Sequence, residues 1–270
     1  MIKNLYQLNN LFYQQQGASF AQTRGAPWHG WRSCVEHLQA EGAISPESDS
    51  ANQQAPALTV FDLACGNMRF EAFLHEALPH LNIDYYGADN SKEMAGTGSQ
   101  KKHFQDLDAL GILIDRGPEA VTSEIDAPIA DLVVSFGFMH HIPSHELRMQ
   151  MLQVMLEKCR PGGFISVSFW QFLNSPSLAK KAAVTHAAAL QDLSHEWTLS
   201  PAEINKELEQ GGYFLGWQGI AGAYRYCHNF TAAEITQLIK AVSSQAKLIA
   251  QFDADGRTGN LNAYLILQKY

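Results

Sequence analysis

The spacing of apolar residues changes period along the chain, and each change marks an element. Apolar runs of strand length, "LTVFDLA" at 58–64, "IDYYGAD" at 83–89, "ADLVVSF" at 130–136 and "GFISVSF" at 163–169, alternate with segments of helical period, "FEAFLHEAL" at 70–78 and "ELRMQMLQVMLEKC" at 146–159. Such alternation predicts βαβ units around a parallel sheet. "KLIAQFD" and "NAYLILQKY", joined by "ADGRTGNL", predict a closing antiparallel hairpin, and "RPGG" at 160–163 ends a helix and turns into a strand. Before the core, residues 3–38 hold two weakly helical stretches interrupted by "RGAPWHGW", and residues 40–57, rich in small polar residues and proline, read as a loop. Residues 171–230 fit no simple βα unit. They are expected to form an insertion over the carboxyl ends of the strands, where open α/β sheets bind ligands.

The 270 residues fit one α/β domain carrying insertions, with 46% hydrophobic and 17% charged residues, an ordinary globular balance. The expected division is a helical extension and loop (1–57), a ligand-binding core (58–170), the insertion (171–230), and a final helix with the closing hairpin (231–270). No run of about 18 apolar residues predicts a membrane span, and "MIKNLYQLNNLFYQQQ" lacks the pattern of a secretory leader, so a cytoplasmic protein is expected. Cys34, Cys65, Cys159 and Cys227 form no CxxC pair, which predicts buried thiols rather than a disulfide framework or zinc ribbon. A net charge of −8 argues against nucleic-acid binding through bulk electrostatics. A nucleic-acid partner would need local basic patches or a second subunit.

Candidate chemistry starts at "VFDLACGNMRF", residues 60–70. A strand ending at Asp62 that turns through Gly66 into a helix near Arg69 presents backbone N–H groups and a helix N-terminus to a ligand. Ala64 and Met68 stand where a nucleotide-binding loop often carries glycine, so the close approach a pyrophosphate needs is disfavoured. The amino-acid end of S-adenosylmethionine asks for only one such approach. The next strand ends at Asp89, about twenty residues on, where a carboxylate can accept from both hydroxyls of a ribose. Asp106 in "HFQDLDAL" is placed to accept from an exocyclic adenine amino group, with the Leu107 backbone beside the ring. Each acid taken alone is more often a strand-end or capping residue.

In order and spacing, "DLACGNMRF", "GADNSKEM", "QDLDAL", "ADLVVSFGFMHHI" and "CRPGGFISVSFW" resemble the motifs of class I S-adenosylmethionine-dependent methyltransferases. The resemblance implies a seven-stranded Rossmann-like α/β sheet with S-adenosylmethionine as cofactor, held around Arg24, Trp28, Asp62, Ala64, Gly66, Asn67, Asp89, Asn90, Asp106, Leu107 and Phe136. A narrower resemblance covers nearly the whole chain. "FAQTRGAPWHGW", "FGFMHHIPSHELRMQML", "GGYFLGWQ", "YRYCHNFTAAEITQLI" and "NLNAYLILQK" are similar to segments of the tRNA wobble-uridine carboxymethyl methyltransferases, one of which is fused in eukaryotes to an AlkB-like dioxygenase. These enzymes esterify a carboxymethyl group on the uridine at the first anticodon position, some with a small zinc-containing activator subunit. The resemblance implies that Arg24 and Trp28 lie near the donor or the substrate entrance and that His140 and His141 face the transferred methyl. It places Arg225, Tyr226 and His228 along the substrate pocket. "SPSLAKKAAVTHAAALQDLSHEW" departs from the basic, low-complexity insert often found there, so a small-molecule acceptor stands as the alternative to tRNA.

Methyl transfer from a sulfonium is an in-line displacement in which alignment and desolvation do most of the work. A carboxylate acceptor, with a reference pKa of about 4, is already ionised at neutral pH and needs only orientation. The planar fork of Arg225, or of Arg24, suits that task, unless either arginine sits in an internal ion pair. For a phenol or amine acceptor, His140 or His141 would serve as base. Pro143 interrupts the helix that would align His141 with His145, so no metal site is expected there. Trp28, Trp31, Tyr224, Tyr226 and Phe230 suit stacking on a flipped base and suit core packing equally.

Overall fold

The computed structural model describes residues 1–23, 25–44, 57–91 and 103–270. Five strands pair in parallel: β1 (Ala57–Leu63), β2 (Asn82–Asp89), β3 (Phe104–Asp106), β4 (Ala130–Ser135) and β5 (Cys159–Trp170). The predicted closing hairpin, β8 (Ala246–Ala254) and β9 (Asn262–Lys269), adds antiparallel to β5. The resulting seven-stranded order is β3-β2-β1-β4-β5-β9-β8. Strand order reverses between β1 and β4, and at such a switch point the carboxyl ends of the strands leave a crevice.

Alternation along each strand divides the apolar residues between two cores. Leu58 and Val60 of β1, Leu132 and Val134 of β4, and Tyr264 and Ile266 of β9 meet helices α2 (His29–Ala40) and α3 (Arg69–Ala77). Phe61 and Leu63, Val133, and Leu265 and Leu267 point the other way, toward α4 (Ala109–Arg116), α5 (Pro118–Glu124), α6 (His145–Lys158) and α9 (Ala232–Val242). Both faces are covered, which is why the strands read as nearly unbroken apolar runs. The "RPGG" turn lies within β5: pairing with β4 jumps from Ala130↔Cys159 to Leu132↔Phe164, and Gly162 takes φ +73° in the bulge.

The insertion contains α7 (Pro176–Trp197), α8 (Pro201–Glu207) and an antiparallel hairpin of β6 (Gly212–Trp217) and β7 (Ile220–His228). The N-terminal helix α1 (Ile2–Gln22) packs on this hairpin, and its Leu5 shares a core with Ala189, Leu193, Ile204, Phe214, Tyr224 and Tyr226. Asn9 fastens the two. Its Oδ1 accepts from the Tyr226 N–H at 2.7 Å and its Nδ2 donates to the Tyr226 carbonyl at 3.2 Å, so an amide side chain satisfies both backbone groups of that residue. The two ends of the predicted division, extension and insertion, thus form one layer. The predicted loop at 40–57 lies, from residue 45 to 56, outside the described residues.

Candidate active site

The turn between β1 and α3 takes a left-handed backbone at three alternate residues, Ala64 (φ +61°), Gly66 (φ +55°) and Met68 (φ +57°). Two of the three lack glycine, yet the backbone still takes the conformation that glycine tolerates best, at about 1–2 kcal/mol for each non-glycine residue. Local contacts hold it there. The Cys65 N–H donates to the Ala88 carbonyl at 3.1 Å, the Met68 N–H to the Cys65 carbonyl at 2.9 Å, and the Met68 side chain is buried against α2 and α3. The turn lies so close to β2 that a Cβ on Gly87 would come within 2.9 Å of Cys65 Sγ. From the start of α3, Arg69 donates to Asn67 Oδ1 at 3.0 Å and to the Ala26 carbonyl at 2.7 Å, with its guanidinium over the rings of Trp28 and Trp31.

Two carboxylates flank this turn. Asp62 is buried and accepts from the Tyr85 hydroxyl; burial pushes its carboxyl up to about 7, the Tyr85 bond opposes that rise, and Asp89 and Glu71 add to it. Asp89 accepts from the Gly66 N–H on one oxygen and the Ser91 N–H on the other, both at 2.8 Å. A carboxylate has about four acceptor sites, so these bonds are compatible with ribose hydroxyls on the same group. Leu107 follows, its N–H donating to the Asp89 carbonyl at 3.1 Å. Asp108 caps α4 by accepting from the Gly111 N–H at 3.0 Å, and it also accepts from the Tyr6 hydroxyl and from Asn90.

Across the crevice, a short 3-10 turn at Met139–His141 presents both histidines. His141 Nδ1 lies 3.1 Å from the Tyr226 carbonyl, an acceptor only, and its Nε2 lies 2.7 Å from the Tyr13 hydroxyl. Asn9 Nδ2, a donor, lies 3.3 Å from the same Nδ1, so both ring nitrogens are engaged whichever of them carries the proton. The imidazole is therefore committed as a bridge between α1 and β7. His140 packs its ring against His141 and Trp170. Arg225 of β7 is 5% exposed, with its guanidinium 4.9, 5.3 and 5.7 Å from the ring centroids of Phe12, Phe20 and Trp217. Its Nε and Nη1 are buried without a hydrogen-bond partner among the described residues, and no ion pair involving it occurs among them. The internal ion pair allowed for by the sequence reading is absent there.

A single cleft of about 1420 Å³ brings most of the expected residues together: Trp28, Asp62, Ala64, Gly66, Asn67, Asp89, Asn90, Leu107, Phe136, His140, His141 and Arg225 all line it. The volume exceeds the roughly 300–1,000 Å³ of a pocket for one small ligand, leaving room for a donor and an acceptor. Three expected residues lie elsewhere. Asp106 is exposed at the tip of β3 and is not among the lining residues, whereas its neighbour Asp108 is. Tyr226 and His228 sit on β7 with the opposite parity to Arg225, so strand alternation turns them away from the cleft. The Tyr226 side chain joins the core beneath α7, and His228 Nε2 lies 2.7 Å from Glu234, with burial as the main cause lowering its pKa. Arg24 lies outside the described residues. Sequence reasoning missed Asn9, Phe12, Tyr13 and Phe20, because nothing in α1 announces its contacts with β7, some two hundred residues away, and with them Trp217 of β6, whose ring meets Phe12 and Phe20.

No metal was expected from His141 and His145. The structure instead gathers His140, His141 and Cys227, whose ligand atoms lie within 4.8 Å of one another. Burial pushes the Cys227 thiol up to about 11, with Arg225 opposing the rise, and His141 Nδ1 is engaged by the Tyr226 carbonyl. Within the trio, Cys227 Sγ lies 3.9 Å from His141 Nδ1, and a metal bound there would have to release the thiol proton.

No family model matches the chain. It is 26% identical over 164 residues to a tRNA (carboxymethyluridine(34)-5-O)-methyltransferase of Mus musculus, a match covering 58% of this chain and 19% of the mouse protein. The matched stretch therefore spans about a fifth of that relative's length. Among solved structures, DhpI in its complex with SAM and HEP superposes with a TM-score of 0.55 at 12% identity, covering 97% of both chains. An S-adenosylmethionine-dependent methyltransferase of Clostridium acetobutylicum gives 0.53 at 10% identity, covering 96% of this chain and 98% of its own. One from Methanosarcina mazei gives 0.52 at 16%, covering 80% and 93%. With its strand order and switch-point cleft, the chain has the class I S-adenosylmethionine-dependent methyltransferase fold.

Proposed function

We propose that the chain is an S-adenosylmethionine-dependent methyltransferase that esterifies a carboxylate, and that this carboxylate belongs to a carboxymethyl-modified wobble uridine in tRNA. The observation that carries the reading is Arg225, a buried guanidinium in the cleft wall with Nε and Nη1 unpartnered among the described residues. A buried cation in that state calls for an anionic partner, and the fork of an arginine matches a carboxylate edge to edge. The rings of Phe12, Phe20 and Trp217 shield the guanidinium from water, which strengthens that pairing.

The donor side fits the cofactor. Asp62 and the Gly66 turn suit a charged amino-acid end, Asp89 a ribose, and the Leu107–Asp108 stretch an adenine edge. Bound there, S-adenosylmethionine supplies a methyl group on a positively charged sulfur. The chain's own task is placement. Arg225 orients the ionised acceptor, His140 and Trp170 close the space between the two halves against water, and His141 with Tyr13 and Asn9 fixes α1 over the site. No proton need be removed from a carboxylate, in keeping with a His141 whose nitrogens are already engaged.

The mouse relative's activity and the matched flanking segments support the tRNA acceptor. The net charge of −8 favours a second reading, a small carboxylate metabolite. Incubation with methyl-labelled donor and total tRNA, with and without a candidate small zinc-containing activator subunit, tests the first. Alkali-labile label in tRNA is the expected result; no label in tRNA under any pairing refutes the first reading, and label in low-mass carboxylates offered in parallel selects the second.

A further inference from the structure

Charge is segregated within the cleft. The half built from strand ends and neighbouring turns carries Asp62, Asp89, Asp108 and Asp255; its Arg69 is turned onto Asn67 and the Ala26 carbonyl. The half built from α7 and the β6–β7 hairpin carries Arg225, Lys180 and Lys181 and no carboxylate among its lining residues. That pattern opposes the chain's overall charge of −8. Arg225 lies deep, whereas Lys180 and Lys181 are exposed on α7. Among the described residues neither lysine ammonium has a hydrogen bond or ion pair.

The position of α7 is fixed. The Phe214 N–H donates to His186 Nδ1 at 3.1 Å, Thr185 lies 3.2 Å from the Phe214 carbonyl, and Ser175 caps the helix start. Ser177, Lys181, Thr185 and Ala188 recur at helical spacing along its cleft-facing side, so small residues leave space around the lysine. The two kinds of cation differ in what they suit: a shielded planar fork at depth takes a carboxylate, and hydrated point charges at the rim take a phosphate.

We infer that the acceptor carries two anionic groups, a carboxylate seated on Arg225 and a backbone phosphate held by Lys180 and Lys181, so that it is a nucleotide within an RNA strand rather than a lone carboxylate. This rests on the carboxylate reading of Arg225. A net charge of −8 disfavours a polyanion in bulk, so the two lysines supply the local tether that the net charge withholds.

The test compares 5-carboxymethyluridine nucleoside with a short single-stranded RNA centred on the same residue, using the full chain and a Lys180→Ala, Lys181→Ala double variant. Calorimetry with S-adenosylmethionine checks that the variant is folded. The variant is expected to raise the RNA's KM about tenfold and the nucleoside's less than twofold, and to flatten the slope of log KM against log salt by about 0.7. An RNA KM that stays put, or one that rises in step with the nucleoside's, overturns the phosphate subsite and leaves Arg225's role standing. Failure of the unaltered chain to label either acceptor while still binding donor overturns the carboxylate reading itself, and this inference with it.

Discussion

Acid should weaken donor binding through one carboxyl, that of Asp62. Burial lifts it from a reference of 3.8 to about 7, so the ligand-free site is half protonated near neutrality. A cationic ligand end is drawn to the ionised form only. One pH unit below 7, about one molecule in eleven is ionised, and the apparent Kd should rise about tenfold over its alkaline limit. Binding near pH 7 should also release about half a proton. The same shift has a consequence for stability. The folded-state pKa is raised, so the group's favourable contribution is complete below about pH 3.8 and is lost as pH rises through about 7. At neutral pH the ligand-free fold therefore carries a buried charge whose cost a bound cation offsets. Calorimetric titration with S-adenosylmethionine from about pH 5.5 to 8.5, in two buffers of different ionisation enthalpy, reads both Kd and proton release. Asp62→Asn should bind more weakly and with a flatter pH profile. A Kd for the unaltered chain that is constant within twofold over that range, with no buffer-dependent heat, would refute the reasoning.

Ala64→Gly should stabilise the fold by about 0.5–1 kcal/mol, because relief of a left-handed alanine outweighs the entropy that glycine loses; thermal unfolding would show a rise of about 2 °C. Arg225→Lys keeps the charge and loses the fork, so kcat/KM toward a carboxylate acceptor should fall about a hundredfold, with donor Kd, read by calorimetry, unmoved. Asn9→Ala leaves the Tyr226 N–H and carbonyl without their side-chain partner and should cost about 1–3 kcal/mol. Hydrogen exchange should then show α1 losing protection before the central sheet does.

The runs of β1, β2, β4, β5 and the β8–β9 hairpin were legible from their length and apolar pattern, whereas the three residues of β3 and the short α4 and α5 are too brief to show a period. The donor turn was legible for a different reason: Asp62, Gly66 and Asp89 fall at strand ends, where sequence order alone fixes their neighbourhood. The acceptor side was harder to read. Arg225 was found by its chemistry, but Tyr226 and His228 were grouped with it although strand parity sends them to the other face of β7. Asn9, Tyr13, Phe12 and Phe20 carry no motif; they matter because α1 returns to lie on β7, a long-range packing outcome. Ala64 and Met68 looked like departures from a glycine-rich turn, yet they keep its backbone, since neighbouring hydrogen bonds and the burial of Met68 hold the strained conformation.

A crystal structure with S-adenosylhomocysteine and 5-carboxymethyluridine soaked together is the most direct measurement. The ribose hydroxyls should lie on Asp89, the sulfur should be directed toward His140, and the carboxylate should pair with the Arg225 guanidinium. A nucleoside bound elsewhere, or an Arg225 that keeps its three rings and meets no carboxylate while the donor half is filled, would contradict that placement.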